Sequence, residues 1–323
     1  MGSSLTFPSF SPHDGRMNLP LIQSSNERTR FGTDSIRNLS QLLKNVVQLL
    51  RSTAVAASPS AEDVHQLRVA CRRTEVALQI LSGVAPKSEH VFEIRDLRRL
   101  RRSANGLRDH DVLTERVGGC GENQAAQSLL CQLQGNRSHR QAAFQTFARK
   151  LSEHWEQEKS VSVPGRFALF EVTPPDVSFV CVADVERQMR SFVSRFCKAA
   201  GKPLRKAERL HRLRIRTKQM RYAIEILGSD LNEEIASDVR LQLETLQDEL
   251  GSLNDHHTSE RLIRRWRAQS VKDEERRLLK ELALEERRAF QSSRKKFRKG
   301  WTGHRSKQLQ RLLKKLSKSV SIG

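Results

Sequence analysis

Two stretches of the chain place apolar residues with the period of an α-helix. In the first stretch, the apolar positions recur at three- and four-residue steps, which predicts a helix with one face in a core. They are Leu67, Ala70, Thr74, Ala77, Leu78 and Leu81. The opposite side is a stripe roughly 80° wide, and it carries His65, Arg68, Arg72 and Val76. The pattern therefore predicts a helix that displays a rigid row of cations.

The second stretch repeats this division at an offset of 146 residues, the distance from His65 to His211. Its apolar face consists of Leu213, Met220, Ala223, Ile224 and Leu227, and its polar stripe of His211, Arg214, Lys218 and Tyr222. The same offset relates Asp109 to Asp255, Phe144 to Phe290 and Trp155 to Trp301. Solenoid repeats are shorter, roughly 20–50 residues. The pattern predicts an internal duplication.

The remaining periodicity predicts helices and little else, so the expected fold class is all-α. We expect helices over 34–53, from a capping box at Ser60 and Asp63 to Leu81, over 88–104, 122–134 and 137–158, with a break at Gly106. Pro203 is placed to begin the second motif helix. The predicted organisation is a disordered leader (1–30), a first helical bundle (31–158), a linker (159–179), a second bundle (180–304) and a basic amphipathic tail (305–323). The linker has the residues for a short strand pair.

Charge narrows the classes of partner. The 323-residue chain has a formal net charge of +21 and only 5% aromatic residues. The tail from 305 adds six Lys or Arg and no acid, and its leucines either pack on the domain, the interpretation we favour, or leave it as a surface-seeking arm. This charge predicts a polyanionic partner such as nucleic acid, an anionic membrane or a phosphate polymer.

Cysteines and apolar runs bear on the compartment. Five scattered cysteines without a C-x-x-C pair favour a reducing, intracellular compartment over a disulfide framework. No run is long enough to predict a transmembrane span or a secretory signal. Met1-Gly2-Ser3-Ser4-Leu5-Thr6 fits the N-myristoylation pattern, but it is short, and the leader could also be a targeting peptide.

The two cationic stripes are the strongest candidate site. A cation at i, i+3 and i+7 places charges about 5 and 10.5 Å apart along one line, where successive anionic groups of a polymer can meet them. Arginine offers a fork of donors that suits phosphate oxygens. The alternative is a solvated helix face, but a face that only confers solubility need not keep His and Arg in register. Candidates of second and third rank are Arg98 and Arg102, then Arg149, Lys150, Lys295 and Lys296.

Two acidic positions leave their roles open. Asp109 and Asp255 either cap a following short helix, the role we favour, or orient a stripe residue of the neighbouring helix. His65 and His211 are structural or binding residues rather than metal ligands. Of the acids Glu62 and Asp63 near His65, only Glu62 has a counterpart near His211, namely Glu208. We expect no metal, no cofactor and no catalytic carboxylate pair.

The motif His65-x-Leu-Arg-Val-x-x-Arg-Arg, followed by Leu107-Arg-Asp-x-Asp-Val, resembles the CHAD family, the conserved histidine α-helical domain. The second copy, His211-x-Leu-Arg-Ile-Arg-x-Lys with Leu253-Asn-Asp, resembles it too, so the likeness covers roughly residues 34–304. The resemblance implies two four-helix bundles related by pseudo-twofold symmetry, binding of inorganic polyphosphate near their junction, and association with polyphosphate granules. The Glu-x-Glu-x-Lys signature of the CYTH triphosphatase module, to which the family is often fused, is absent.

The resemblance also implies which residues bind. Position by position, the implied contacts are His65, Arg68, Arg72, Arg73, His211, Arg214 and Lys218. Gln219 stands where the counterpart of Arg73 would be basic, and Arg221 lies nearby to compensate. Our hypothesis is a non-enzymatic, intracellular polyphosphate-binding module, cytoplasmic or on granules. The alternative is a helical RNA- or DNA-binding protein, against which the scarcity of aromatic residues argues.

Overall fold

The computed structural model describes residues 33–82, 87–121, 123–160 and 182–320. These residues form nine α-helices, one short 3-10 turn and no strand. The all-α prediction is therefore confirmed for the described part of the chain. The leader and the linker's expected strand pair lie outside the described residues, and the beginning of the predicted linker is still helical.

The first four helices form a four-helix bundle. They are α1 (Thr33–Val55), α2 (Ala61–Ile80), α3 (Lys87–Gly118) and α4 (Gln124–Ser160). Each packs on the next along the chain, and α4 returns to pack on α1. The apolar faces predicted for α1 and α2 supply the core, in which Leu39, Leu50, Leu67 and Leu78 are fully buried.

The second half contributes α5 (Val182–Ala200), α6 (Ala207–Leu227), α7 (Glu233–Gln269), α8 (Asp273–Gly300) and α9 (Gly303–Leu316). The helices α5, α6, α7 and α9 form a second bundle, because α5 and α7 each pack on both α6 and α9. Leu309, Leu313 and Leu316 of α9 are buried in its core, which agrees with the packed interpretation of the tail. Helices α2 and α6 begin 146 residues apart, as do α3 and α7, whereas the duplication itself stays a prediction.

Two expected helix breaks are wrong. Helix α3 runs through Gly106 without interruption, and α4 is one helix rather than two, continuing through Gly135. A glycine inside a helix costs only about 1 kcal/mol, and buried Leu107, Leu113 and Val117 hold α3 together beyond it. At Gly106 a Cβ would lie 3.1 Å from Nη1 of Arg140, so the glycine there admits that side chain. The expectation that Pro203 begins the second motif helix is wrong as well, because α6 begins at Ala207.

The distal parts of four helices make a second, smaller core. Leu113, Leu129, Ile263 and Leu279, from α3, α4, α7 and α8, are buried there. Because α3 and α4 come from the first half and α7 and α8 from the second, this core joins the two halves. Within the described residues, no helix combines the length and apolarity that crossing a bilayer requires.

The N-terminal end of α2 carries the predicted capping box. The Ser60 hydroxyl accepts the Asp63 backbone N–H at 3.1 Å, and the Asp63 carboxylate accepts the Ser60 N–H at 2.8 Å. Helix α6 has Lys206 at the same place and no side-chain cap. We expect Ser60→Ala to lower the free energy of unfolding by about 1 kcal/mol, and Lys206→Ser to raise it by about 0.5 kcal/mol, in urea denaturation. Equal effects of the two substitutions would contradict this role of the cap.

Candidate functional site

The two helices that carry the cationic stripes pack against each other at the junction of the bundles. Their predicted apolar faces are buried: Leu67 and Ala77 on α2, and Leu213 and Met220 on α6, are at most 3% exposed. The outer limit of each stripe was predicted wrongly, because Val76 and Tyr222 are also buried. Both lie one turn beyond the last cation, and there the Tyr222 ring of α6 lies under Arg73 of α2.

Cations from both helices come together at this junction, and we call Arg68, Arg72, Arg214 and Lys218 the cationic cluster. Burial lowers the pKa of Arg72, and repulsion from Arg101 and Arg214 lowers it further. Burial, then Arg214 and Arg72, lowers the pKa of Lys218 to about 8. Since Arg72 belongs to the first half and the other two to the second, both stripes contribute to one site.

Arg68 lies at the same site, and its charged form is destabilised in a similar way. Burial lowers its pKa to about 10, and Arg72 is the next largest cause. The buried Nε atoms of Arg68 and Arg214 have no hydrogen-bond partner. Forked donors held half-buried without acceptors are suited to bind an anion that supplies the missing oxygens.

Acidic side chains neutralise only a part of this charge. Asp255 lies 3.9 Å from Arg214, between Oδ1 and Nη2, and is itself largely exposed. Asp109 favours the charged form of Arg68, while burial raises the pKa of Asp109. Neither residue caps a helix, because α3 and α7 continue through them. The favoured capping role is therefore wrong, and each carboxylate instead acts electrostatically on a stripe arginine, Asp109 on Arg68 and Asp255 on Arg214.

At the C-terminal ends of the two stripes, the arginines have a different set of partners. Arg73 and Arg221 both lie 3.2 Å from the carboxylate of Glu225, and both guanidinium groups stack over the ring of Tyr222. These two arginines thus share one carboxylate at 3.2 Å, whereas in the cationic cluster the ion pair of Arg214 with Asp255 is longer, at 3.9 Å. Gln219 accepts a hydrogen bond from Nη1 of Arg216 at 2.7 Å.

The two histidines have different surroundings. His65 is half-buried, and its pKa is lowered by burial and then by Arg108. His211 is exposed, and its Nδ1 lies 2.6 Å from Oδ1 of Asn254. The charge of Lys218, across the junction, also lowers the pKa of His65. His65 therefore lies at the edge of the cationic cluster.

The lower-ranked candidates lie elsewhere or are engaged. Arg98 pairs with the largely buried Glu75 at 2.7 Å, and Arg102 is exposed beside it. Arg149 and Lys150 lie on α4, and Lys295 and Lys296 on α8, all of them exposed. These helices pack mainly on α1, α3 and α7 rather than on α2 or α6. The structure therefore does not bring the four residues into the cationic cluster.

Two further cations, both on α3, lie at the site and were not among the residues predicted from the sequence. Arg101 acts on Arg68 and Arg72, and Arg108 on Arg68 and His65. They are seven residues apart, so they share a face of α3. That spacing was visible in the sequence, but Arg98 and Arg102 satisfied a similar pattern. Among the described residues, no group of His, Cys, Asp and Glu is arranged to hold a metal ion.

The fold resembles two solved structures. One is the crystal structure of the CHAD domain from the plant Ricinus communis, with TM-score 0.59 and 19% identity over 89% of this chain and 93% of that one. The other is PptA from Streptomyces chartreusis, with TM-score 0.57 and 14% identity over 85% of this chain and 99% of that one. A search among curated proteins finds no significant match.

A family model connects the sequence to this fold. The model described as CHAD domain matches residues 37–264, which include both motif helices and most of α7. The resemblance drawn from the duplicated histidine motif is thereby confirmed, and so is the expectation of an all-α CHAD fold. The chain belongs to the CHAD domain family.

Proposed function

We propose that this protein binds inorganic polyphosphate through the cationic cluster between α2 and α6, and that it does so without catalysis. The observation that carries the proposal is the convergence of cations from both halves on one junction. Arg68, Arg72, Arg214 and Lys218 all have lowered pKa values there. Family membership supports the same ligand, because the resemblance to CHAD proteins implies polyphosphate binding.

The electrostatics favour a polyanion over a single small ion. Each cation of the cluster is destabilised by burial and most of them also by a neighbouring cation. A chain of phosphates would place several negative charges along the row at once, relieve that repulsion and supply acceptors to the free Nε donors. A lone anion would relieve only one pair.

Nucleic acid is a poorer fit to this junction. Single-stranded binding sites stack bases on aromatic side chains, and the aromatic residue beside the cluster, Tyr222, is buried under Arg73 and Arg221. A phosphate polymer without bases needs no such platform. From the resemblance to CHAD proteins we also propose that the protein is intracellular and associates with polyphosphate granules.

The proposal that the protein is not catalytic rests on how phosphoanhydrides are hydrolysed. Hydrolysis of phosphoanhydrides ordinarily relies on metal ions held by acidic residues, and the described residues hold no acidic cluster suited to one. The cluster's own carboxylates, Asp109 and Asp255, face arginines. Incubation with magnesium and long-chain polyphosphate should release no phosphate; sustained release would contradict this part of the proposal.

Calorimetric titration tests whether polyphosphate is the preferred ligand. Long-chain polyphosphate and single-stranded RNA of equal charge are compared at about 50 mM and about 200 mM salt. We expect polyphosphate binding to persist at the higher salt concentration while RNA binding fades, because the row matches a phosphate chain and lacks a base platform. Equal and equally salt-sensitive binding of both polymers would instead favour a general nucleic-acid-binding protein.

A further inference from the structure

A second cationic surface lies on the other side of the second bundle, along α5. We call it the cationic ridge. It comprises Arg195 and Lys198 of α5, Arg212 and Arg216 of α6, and Lys307, Arg311, Lys314 and Lys318 of α9 and its C-terminal end. It is distinct from the cationic cluster, because Arg214 and Arg216 are two residues apart on α6 and project about 160° from each other.

The charge of the ridge is not compensated. Within the described ranges, none of its eight cations forms an ion pair. The two acids of α5, Asp184 and Glu186, are paired with other arginines, and α9 contains no acid. On α6, Glu208 lies one turn from Arg212 but is not in an ion pair with it. Burial lowers the pKa of Arg216, followed by repulsion from Arg195 and Arg212. Uncompensated repulsion of this kind favours an anionic partner.

The shape of the ridge is convex. Because α5 packs on α6 at one side and on α9 at the other, it occupies a corner of the bundle. Arg195 is within electrostatic reach of Arg216 on the α6 flank, and Lys314 is within reach of Cys197 on the α9 flank. Between the flanks, the exposed surface of α5 includes Ser194 and Lys198. The result is a helical crest with cations on both sides.

This shape fits a double helix better than other polyanions. The major groove, about 12 Å wide, admits an α-helix and is bordered by two phosphate strands, which the two flanks would meet. A single phosphate chain has no groove that could receive the crest between the flanks. An anionic membrane is disfavoured because amphipathic helices bind it through an exposed apolar face, and Leu309, Leu313 and Leu316 of α9 are buried in the core.

We propose that the cationic ridge binds double-stranded DNA through its phosphates, without base specificity. The crest offers mainly serine and lysine, so direct reading of base edges is not expected. Since the ridge and the cationic cluster are on different faces, one molecule can hold a duplex and a polyphosphate chain together. The duplex site does not depend on the function proposed for the cluster.

The test is fluorescence anisotropy with a labelled DNA duplex of about two helical turns, measured at several salt concentrations. Arg212→Ala with Lys314→Ala removes one exposed cation from each flank, and Arg68→Ala with Arg214→Ala is the control of equal charge. We expect the ridge variant to bind the duplex about 10-fold more weakly and to lower the salt slope by about 2, whereas the control stays within about 2-fold.

Three outcomes would overturn the proposal: no duplex binding by the unmodified protein, equal losses in the two variants, or displacement of the duplex when the protein is saturated with polyphosphate. Ridge-dependent sedimentation with phosphatidylserine vesicles, without duplex binding, would assign the ridge to membranes. A ternary complex with duplex and polyphosphate would support the proposal. If polyphosphate does not bind at all, the comparison of the two variants still decides the duplex site.

Discussion

Replacing Arg68 and Arg214 together by alanine is expected to lower the affinity for long-chain polyphosphate by about 100-fold, measured by calorimetry. Each guanidinium can donate charge-assisted hydrogen bonds, which contribute roughly 1.5–3 kcal/mol apiece. The two residues come from different helices, so the double substitution weakens both sides of the junction. Their buried Nε atoms have no hydrogen-bond partner, so one donor of each guanidinium is unused in the free protein.

The matched control is Lys314→Ala with Lys318→Ala, which removes the same charge from α9. If binding occurs at a defined site, this variant should keep its polyphosphate affinity within about 3-fold, since distant surface charges are screened over about 10 Å. Equal losses in both double variants would mean that attraction is spread over the whole basic surface. Circular dichroism should give the same helical content for both variants, because neither pair of residues belongs to the apolar core.

Much of the site could be predicted because helical periodicity is a local property. The positions of Leu67 and Leu213 relative to Arg68 and Arg214 already determine which sides of α2 and α6 are buried and which carry cations. Repetition of the motif added the prediction that both stripes bind the same ligand. What periodicity could not supply is the meeting of the stripes, which depends on the packing of α2 on α6.

The features that were predicted wrongly or not at all are cases in which tertiary packing overrides local sequence signals. Gly106 and Gly135 predict breaks, yet α3 and α4 continue because long apolar faces on both sides of each glycine are buried. Arg101 lies beside the cationic cluster because α3 packs on α2, a neighbour relation that no spacing within α3 reveals. The fourth position of the second bundle is held by α9, since the chain turns at Trp301 and Thr302 before that helix begins.

The cluster also illustrates a conflict between binding and folding. Arginines and a lysine placed half-buried beside each other are unfavourable in the free protein, and the surrounding core of leucines holds them there. A site arranged in advance does not have to be assembled when the polymer arrives, so less binding free energy is lost to ordering. The same arrangement predicts that neutralising one cation stabilises the free protein.

Lys218→Met is therefore expected to raise the free energy of unfolding by about 1–2 kcal/mol at pH 7 while weakening polyphosphate binding about 10-fold. The pKa of Lys218 is about 8 in the folded protein, against an ordinary value of 10.5. Below pH 8 the ammonium is protonated in both states and destabilises the fold. Between pH 8 and 10.5 the folded state releases this proton first, so stability rises with pH in the unmodified protein.

Urea denaturation at pH 7 and pH 9.5 measures both effects. The unmodified protein should gain stability between the two values relative to Lys218→Met, in which this titration is absent. Lys315→Met, an exposed lysine on α9, is the control and should shift stability by less than about 0.5 kcal/mol. A Lys218→Met variant that is less stable than the unmodified protein would show that the lysine supports the fold, and the conflict between binding and folding would then not exist at this position.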